Sequence, residues 1–168
     1  MQNDIAQSVP NAYARYLGLS LRSDGFGFVV VEDTVALDCG VRACEQTGSI
    51  ECLAQLFDRI LRTYLPTEVI MLGIGSVEAT EKRGKVQTAI AGRVSRKNIP
   101  VVRLSAASLT KHFRQVNAET KYEIALAVAR ILPELAWRLP PKRRAWESEP
   151  RRSLIFEAAA AVIAHAKL

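Results

Sequence analysis

The stretch 16-YLGLSLRSDGFGFVVVEDTVALDCGVR-42 decides the fold class. Leu17–Leu21 is a short apolar strand, Ser23–Gly25 supplies turn residues, Phe26–Glu32 is a second apolar run, Asp33 marks another turn, and Val35–Val41 forms a third strand. Apolar runs broken by a few Gly, Asp or Ser residues predict an antiparallel meander, because tight turns reverse the chain while alternate side chains stay on one core. Further along, Ile50–Tyr64 sets Leu53, Leu56, Phe57, Ile60, Leu61 and Tyr64 at helical spacing, and Pro66 closes that helix. Val69–Ile74 is continuously apolar, as a strand buried on both faces is, and runs into the glycine-punctuated Gly73-Ile74-Gly75. Gly84–Lys97 predicts an amphipathic helix with Val86, Ile90, Ala91 and Val94 on one face and Lys85, Arg93 and Arg96 on an opposing arc. Pro100–Leu104 reads as another short buried strand and Ala106–Phe113 as a short helix. Asn117 is placed to cap a helix over Ala118–Leu132, which Pro133 stops. Arg138–Ser153 carries three prolines, six Arg or Lys residues and Trp146, and reads as a basic loop. Ser153 then caps a last helix, Leu154–Ala166. The order is βββαβαβαα, closed by that terminal helix.

A chain of 168 residues suits a single domain over 1–168, with residues 1–14 as an N-terminal extension and 138–153 as the basic Pro-rich loop. No apolar run approaches the ~18–20 residues that cross a bilayer, which argues against a membrane protein. The first residues lack a basic start followed by an apolar core, so a cytoplasmic location is expected. Cys39, Cys44 and Cys52 have neither C-x-x-C spacing nor a nearby histidine, a pattern of buried reduced thiols rather than of zinc ligands or a disulfide framework. Gly73–Gly75 lacks the Gly-Lys-Ser/Thr of a phosphate-cradling loop, so no nucleotide triphosphate is expected as a cofactor.

Net charge is +6, and its distribution is uneven. Between Lys82 and Ala118 lie nine cations and no acid, leaving 14 cations against 17 acids elsewhere, a net −3. A basic segment on a slightly acidic body is the electrostatic footprint of a phosphate-backbone partner, the alternative being a solvated face whose neutralising acids stand elsewhere in space. The candidate nucleic-acid contacts are Lys82, Arg83, Lys85, Arg93, Arg96, Lys97 and Lys111 on this segment, and Arg143, Arg144 and Trp146 on the basic loop. Basic surroundings suit Trp146 either to stacking on an unpaired base or to covering the edge of the core.

LGLSLRSDGFGFVV resembles the first hairpin of the RuvC-type Holliday junction resolvases, with a Gly before the strand's key residue and a G-aromatic-G motif opening the second strand. The helix ending at Pro66 and leading to Val69–Leu72 is similar to that family's crossover, Asn117–Leu132 to its late helix region, and EAAAAVIAH from Glu157 to His165 to its final helix. The resemblance covers about nine-tenths of the chain. It implies a ribonuclease H-like α/β fold, a five-stranded mixed sheet flanked by helices. It also implies a homodimer that meets branched DNA, and carboxylates from the first strand, fourth strand and last helix around two Mg²⁺ ions. Matched by position, those carboxylates fall on Ser20, Leu72, Leu154 and Glu157. One acid, Glu157, is left as a catalytic candidate, and no metal ligand set remains.

These residues support a RuvC-like protein that recognises branched or structured DNA with a degenerate nuclease site and needs no cofactor. One alternative is a divergent Mg²⁺-dependent endonuclease built from Asp24, Glu78 and Glu157. Another is a non-catalytic scaffold whose basic face meets an acidic protein. His165, two turns beyond Glu157, reads as a structural helix-end histidine rather than a water-orienting one.

Overall fold

The computed structural model describes residues 13–44, 49–73 and 81–168. The meander forms as the sequence predicts: β1 (Arg15–Leu21), β2 (Gly25–Glu32) and β3 (Val35–Ala43) pair antiparallel in chain order. A bulge near Val30–Val31 shifts the β2–β3 register. Helix α1 (Ile50–Tyr64) follows, then β4 (Glu68–Leu72), α2 (Glu81–Ser95), β5 (Val101–Leu104), α3 (Ala106–Arg114), α4 (Lys121–Ile131), a 3₁₀ turn at Pro133–Arg138 and α5 (Ser153–Ala166). β4 joins β1 in parallel and β5 joins β4 in parallel, giving one mixed sheet in the order β3-β2-β1-β4-β5.

Period-2 alternation splits the core between the two sheet faces. Leu17, Leu19, Leu21, Phe26, Phe28, Val69 and Met71 pack on one side against α1 and α2. Val29, Val31 and Ile70 pack on the other against α3, α4 and α5. Helix α5 is apolar nearly all round, as a helix enclosed by sheet and helices must be: from Leu154 to Ile163 every residue but Glu157 is buried. Its seat on the sheet depends on two glycines. A Cβ on Gly18 of β1 would collide with the Ala158 carbonyl oxygen and Val162, and one on Gly27 of β2 with Leu154.

Several local expectations are corrected. Asn117 does not cap α4; its φ of 57° puts it in the left-handed region that Asn tolerates, and it closes a turn instead. Thr120 is the cap, in a capping box with Glu123. Ser153 is the first residue of α5 rather than its cap, and its hydroxyl donates to the Pro150 carbonyl at 2.7 Å. β5 is a half-buried edge with Arg103 exposed, not a buried strand. Cys44 and Cys52 are not reduced thiols: they form a disulfide that ties the end of β3 to the first turn of α1, while Cys39 stays free and burial pushes its thiol pKa up. Of the expected N-terminal extension, residues 1–12 lie outside the described residues.

Candidate functional site

Ser20 is the one fully buried polar side chain among the described residues, one position from the end of β1 on the face covered by α5. The glycine seat brings the first turns of α5 onto it, and the Ser20 hydroxyl donates to Glu157 Oε2 at 2.6 Å. The other oxygen of Glu157 accepts from Lys121 Nζ at 3.1 Å. Lys121, the first residue of α4, also binds both oxygens of Glu149, at 2.9 and 3.1 Å. Glu149 in turn meets Arg22, just past β1, at 3.2 Å. Beside this chain of contacts, Arg151 pairs with Asp24 of the β1–β2 turn at 2.7 Å. The site is therefore a charge-balanced cluster in which Arg22, Lys121 and Arg151 face Asp24, Glu149 and Glu157.

The titration shifts follow from those contacts. Burial pulls the Lys121 pKa down, but the hydrogen bonds and charges of Glu149 and Glu157 outweigh it, and the net value lies above the ordinary 10.5. Burial pushes Glu149 up, yet Lys121, Arg22 and the Ser153 hydroxyl more than offset it and hold Glu149 below 4.5.

The pair of divalent ions that the resemblance implies does not fit this donor set. Both oxygens of Glu157 are engaged by hydrogen-bond donors, and an ammonium stands between it and the second carboxylate. Leu72 packs into the α5-side core and Leu154 is buried, and neither offers an oxygen. Among the described residues no three Asp, Glu, His or Cys side chains stand close enough to hold an ion. Of the alternative Asp24–Glu78–Glu157 set, Asp24 is paired with Arg151, and Glu78 lies outside the described residues. His165 is at the other end of α5, 3.1 Å from Glu68 at the start of β4, roughly 13 Å along the sheet from the Ser20 level.

The basic residues do not form one surface. α2 runs back from the end of β4 to the start of β5, so Lys82, Arg83 and Lys85 lie at the site end of the sheet and Arg96 and Lys97 roughly 20 Å away at the other. Arg93 is not available: only 20% exposed, it pairs with Asp58 and, at 2.7 Å, with Glu51 of α1. Lys85 pairs with Glu81 one turn earlier, an exposed contact of little weight. Arg62, Arg96 and Lys97 rim a cleft of about 360 Å³ floored by the Arg93–Asp58 pair. Lys111, on α3, sits on the opposite sheet face from α2.

The basic loop contributes at the site end, because Glu149 and Arg151 anchor it there. Arg144 and Glu147 close a tight turn through paired bonds, Arg144 N–H to the Glu147 carboxylate at 2.9 Å and Glu147 N–H to the Arg144 carbonyl at 3.1 Å. That turn holds Trp146 78% exposed, with the Arg144 guanidinium 5.6 Å from its ring centre. Arg143 and Arg152 line a hollow of about 460 Å³ beside it.

No protein-family model and no curated protein matches the sequence. Solved structures match in architecture. Thermus thermophilus RuvC in complex with a Holliday junction substrate aligns over 92% of this chain and 93% of that one, with a TM-score of 0.73 at 17% identity. A second T. thermophilus RuvC structure aligns over 90% and 93%, with a TM-score of 0.68 at 17% identity. The yeast mitochondrial Holliday junction resolvase Ydc2 aligns over 94% and 79%, with a TM-score of 0.65 at 14% identity. The fold is that of RuvC. Within the RuvC fold, the charged cluster lies where the end of β1 meets the first turns of α5, built from residues as far apart as Ser20 and Glu157.

Sequence reasoning found Ser20 and Glu157 and missed Arg22, Lys121, Glu149 and Arg151. One signal was present. A lysine in the first turn of a helix opposes the helix dipole, so Lys121 calls for an acid brought from elsewhere in the chain.

Proposed function

We propose that this protein binds branched or structured DNA through the site end of its RuvC fold and does not cut it. The observation that carries this reading is the Ser20–Glu157–Lys121–Glu149 cluster, where hydrogen-bond donors and an ammonium engage the carboxylates that metal-assisted hydrolysis needs free. Around that centre, which Arg22 brings to charge balance, Lys82, Arg83, Arg143, Arg144 and Arg152 form no salt bridge among the described residues and are available to phosphate, with Glu147 the one acid lining the hollow of Arg143 and Arg152. Phosphate contacts supply affinity, and Trp146 supplies a stacking face for a base left unpaired at a branch.

The test is equilibrium binding of a labelled four-way DNA junction against matched duplex in a salt series, with the strands run on a denaturing gel after Mg²⁺ addition. Five phosphate-facing cations give a slope of log affinity on log salt of about −4 to −5. Arg143→Ala with Arg144→Ala should make it shallower by about 2, and Arg62→Ala with Arg96→Ala, at the far end, should leave it unchanged. Cleaved strands would refute the non-cleaving assignment. Absence of binding at low salt would hand the basic surfaces to an acidic protein.

A further inference from the structure

We infer that Lys121 is a built-in cation: its ammonium does for Glu149 and Glu157 what a bound divalent ion would do, so that the site end of this fold assembles without metal. The inference stands on the stability of the protein and is independent of what the protein binds.

Glu149 and Glu157 come from different segments, the loop before α5 and α5 itself, and each is only 22% exposed. Their Lys121 contacts of 2.9 and 3.1 Å place the nearest oxygens no more than about 6 Å apart, close enough for the two anions to repel even though the Lys121 side chain between them is 68% exposed and water screens part of the charge. A cation between them relieves that repulsion. Lys121 is that cation, with bonds to three carboxylate oxygens. Its backbone position makes the assignment specific. At the first residue of α4 a positive charge is disfavoured by the helix dipole, and the adjacent Thr120–Glu123 capping box already satisfies the helix start. The lysine is therefore not there for α4; its head serves the carboxylates across the gap.

The remaining donors complete the shell. The Ser20 hydroxyl donates a hydrogen bond to the Glu157 oxygen that Lys121 leaves, and Arg22 pairs with Glu149. Two cations thus meet two anions, and β1, α4, α5 and the basic loop are joined at one point. The same arrangement roots the loop that carries Arg143, Arg144 and Trp146, because Glu149 lies three residues beyond Trp146.

The experiment is thermal unfolding of the full chain and its variants in EDTA, in millimolar MgCl₂ and in millimolar MnCl₂. The wild type should unfold at one temperature in all three. Lys121→Met keeps the stem and removes the charge. It should lose several degrees in EDTA and regain much of the loss in MnCl₂, because a cation that binds the folded state stabilises it by mass action. Lys121→Arg should stay near wild type. Adding Glu149→Gln to Lys121→Met should restore stability in EDTA and abolish the Mn²⁺ response, and this double variant carries the test if the single one does not fold. A wild type stabilised by Mg²⁺ or Mn²⁺, or weakened by EDTA, would overturn the inference. So would a folded Lys121→Met variant that neither loses stability in EDTA nor responds to Mn²⁺.

Discussion

Gly18→Ala tests the link between packing and site most directly. Gly18 lies in the middle of β1, opposite Val29 of β2 and Ile70 of β4, and its missing side chain is what α5 rests on. An added Cβ would overlap the Ala158 carbonyl oxygen and Val162, both in fully buried residues with no room to turn aside. The helix must retreat by about 1 Å, and overpacking of this kind costs about 1–3 kcal/mol. The same retreat would stretch the 2.6 Å Ser20–Glu157 bond past the ~3.2 Å limit of a useful hydrogen bond. Losing a bond to a partly exposed carboxylate adds about 1 kcal/mol. Together these predict a destabilisation of about 2–4 kcal/mol in urea unfolding with an unchanged m-value, or roughly 5–15 °C in Tm for a domain of this size. Gly92→Ala is the matched control: an added Cβ there meets nothing within 4 Å, so the variant should gain about 0.5–1 kcal/mol. A Gly18→Ala protein within about 0.5 kcal/mol of wild type would refute the reasoning that glycine sets the height of α5 over Ser20.

Thr120→Ala removes one half of the capping box and should cost about 1 kcal/mol by urea unfolding, whereas Asn117→Gly, at a left-handed turn, should be near neutral. Glu149 is held below its ordinary 4.5 when folded, so its contribution is complete above that pH and disappears as pH falls through the lower folded value. Lys121, raised above 10.5, contributes fully below that pH and loses its part as pH climbs through the higher folded value. A Tm profile against pH should therefore fall at both extremes, with Glu149→Gln flattening the acid limb. The Cys44–Cys52 bridge closes a short loop of sequence separation 8, and reduction or Cys52→Ser should cost about 2–3 kcal/mol in thermal unfolding, with no loss on dithiothreitol for the substituted chain.

What was legible in the sequence and what was not divide along one line, the range over which the governing interaction acts. The meander, α1 and the fourth strand are decided by local alternation, helical spacing and turn residues, and the structure has them within two residues of the predicted bounds. Within the cationic arc on α2, the pairing of Arg93 is invisible to a helical wheel, which contains only its own helix. Arg93 is neutralised by Glu51 and Asp58, which share a face of α1 and precede it by 42 and 35 residues. The disulfide escaped notice because its spacing matches no motif; the first turn of α1 folding back toward β3 is what brings Cys52 to Cys44. The site is the extreme case. Ser20 and Glu157 are 137 residues apart, and Lys121 and Glu149, 28 apart, sit on a helix start and a loop with no shared pattern. Counting acids at the positions of a nuclease makes Ser20 and Leu154 read as losses. The surroundings of Ser20 point to a different condition. A carboxylate as enclosed as Glu157 still requires a donor for each oxygen, and Ser20 and Lys121 are those donors, so substitution at one position of such a cluster is intelligible only with the other members in view.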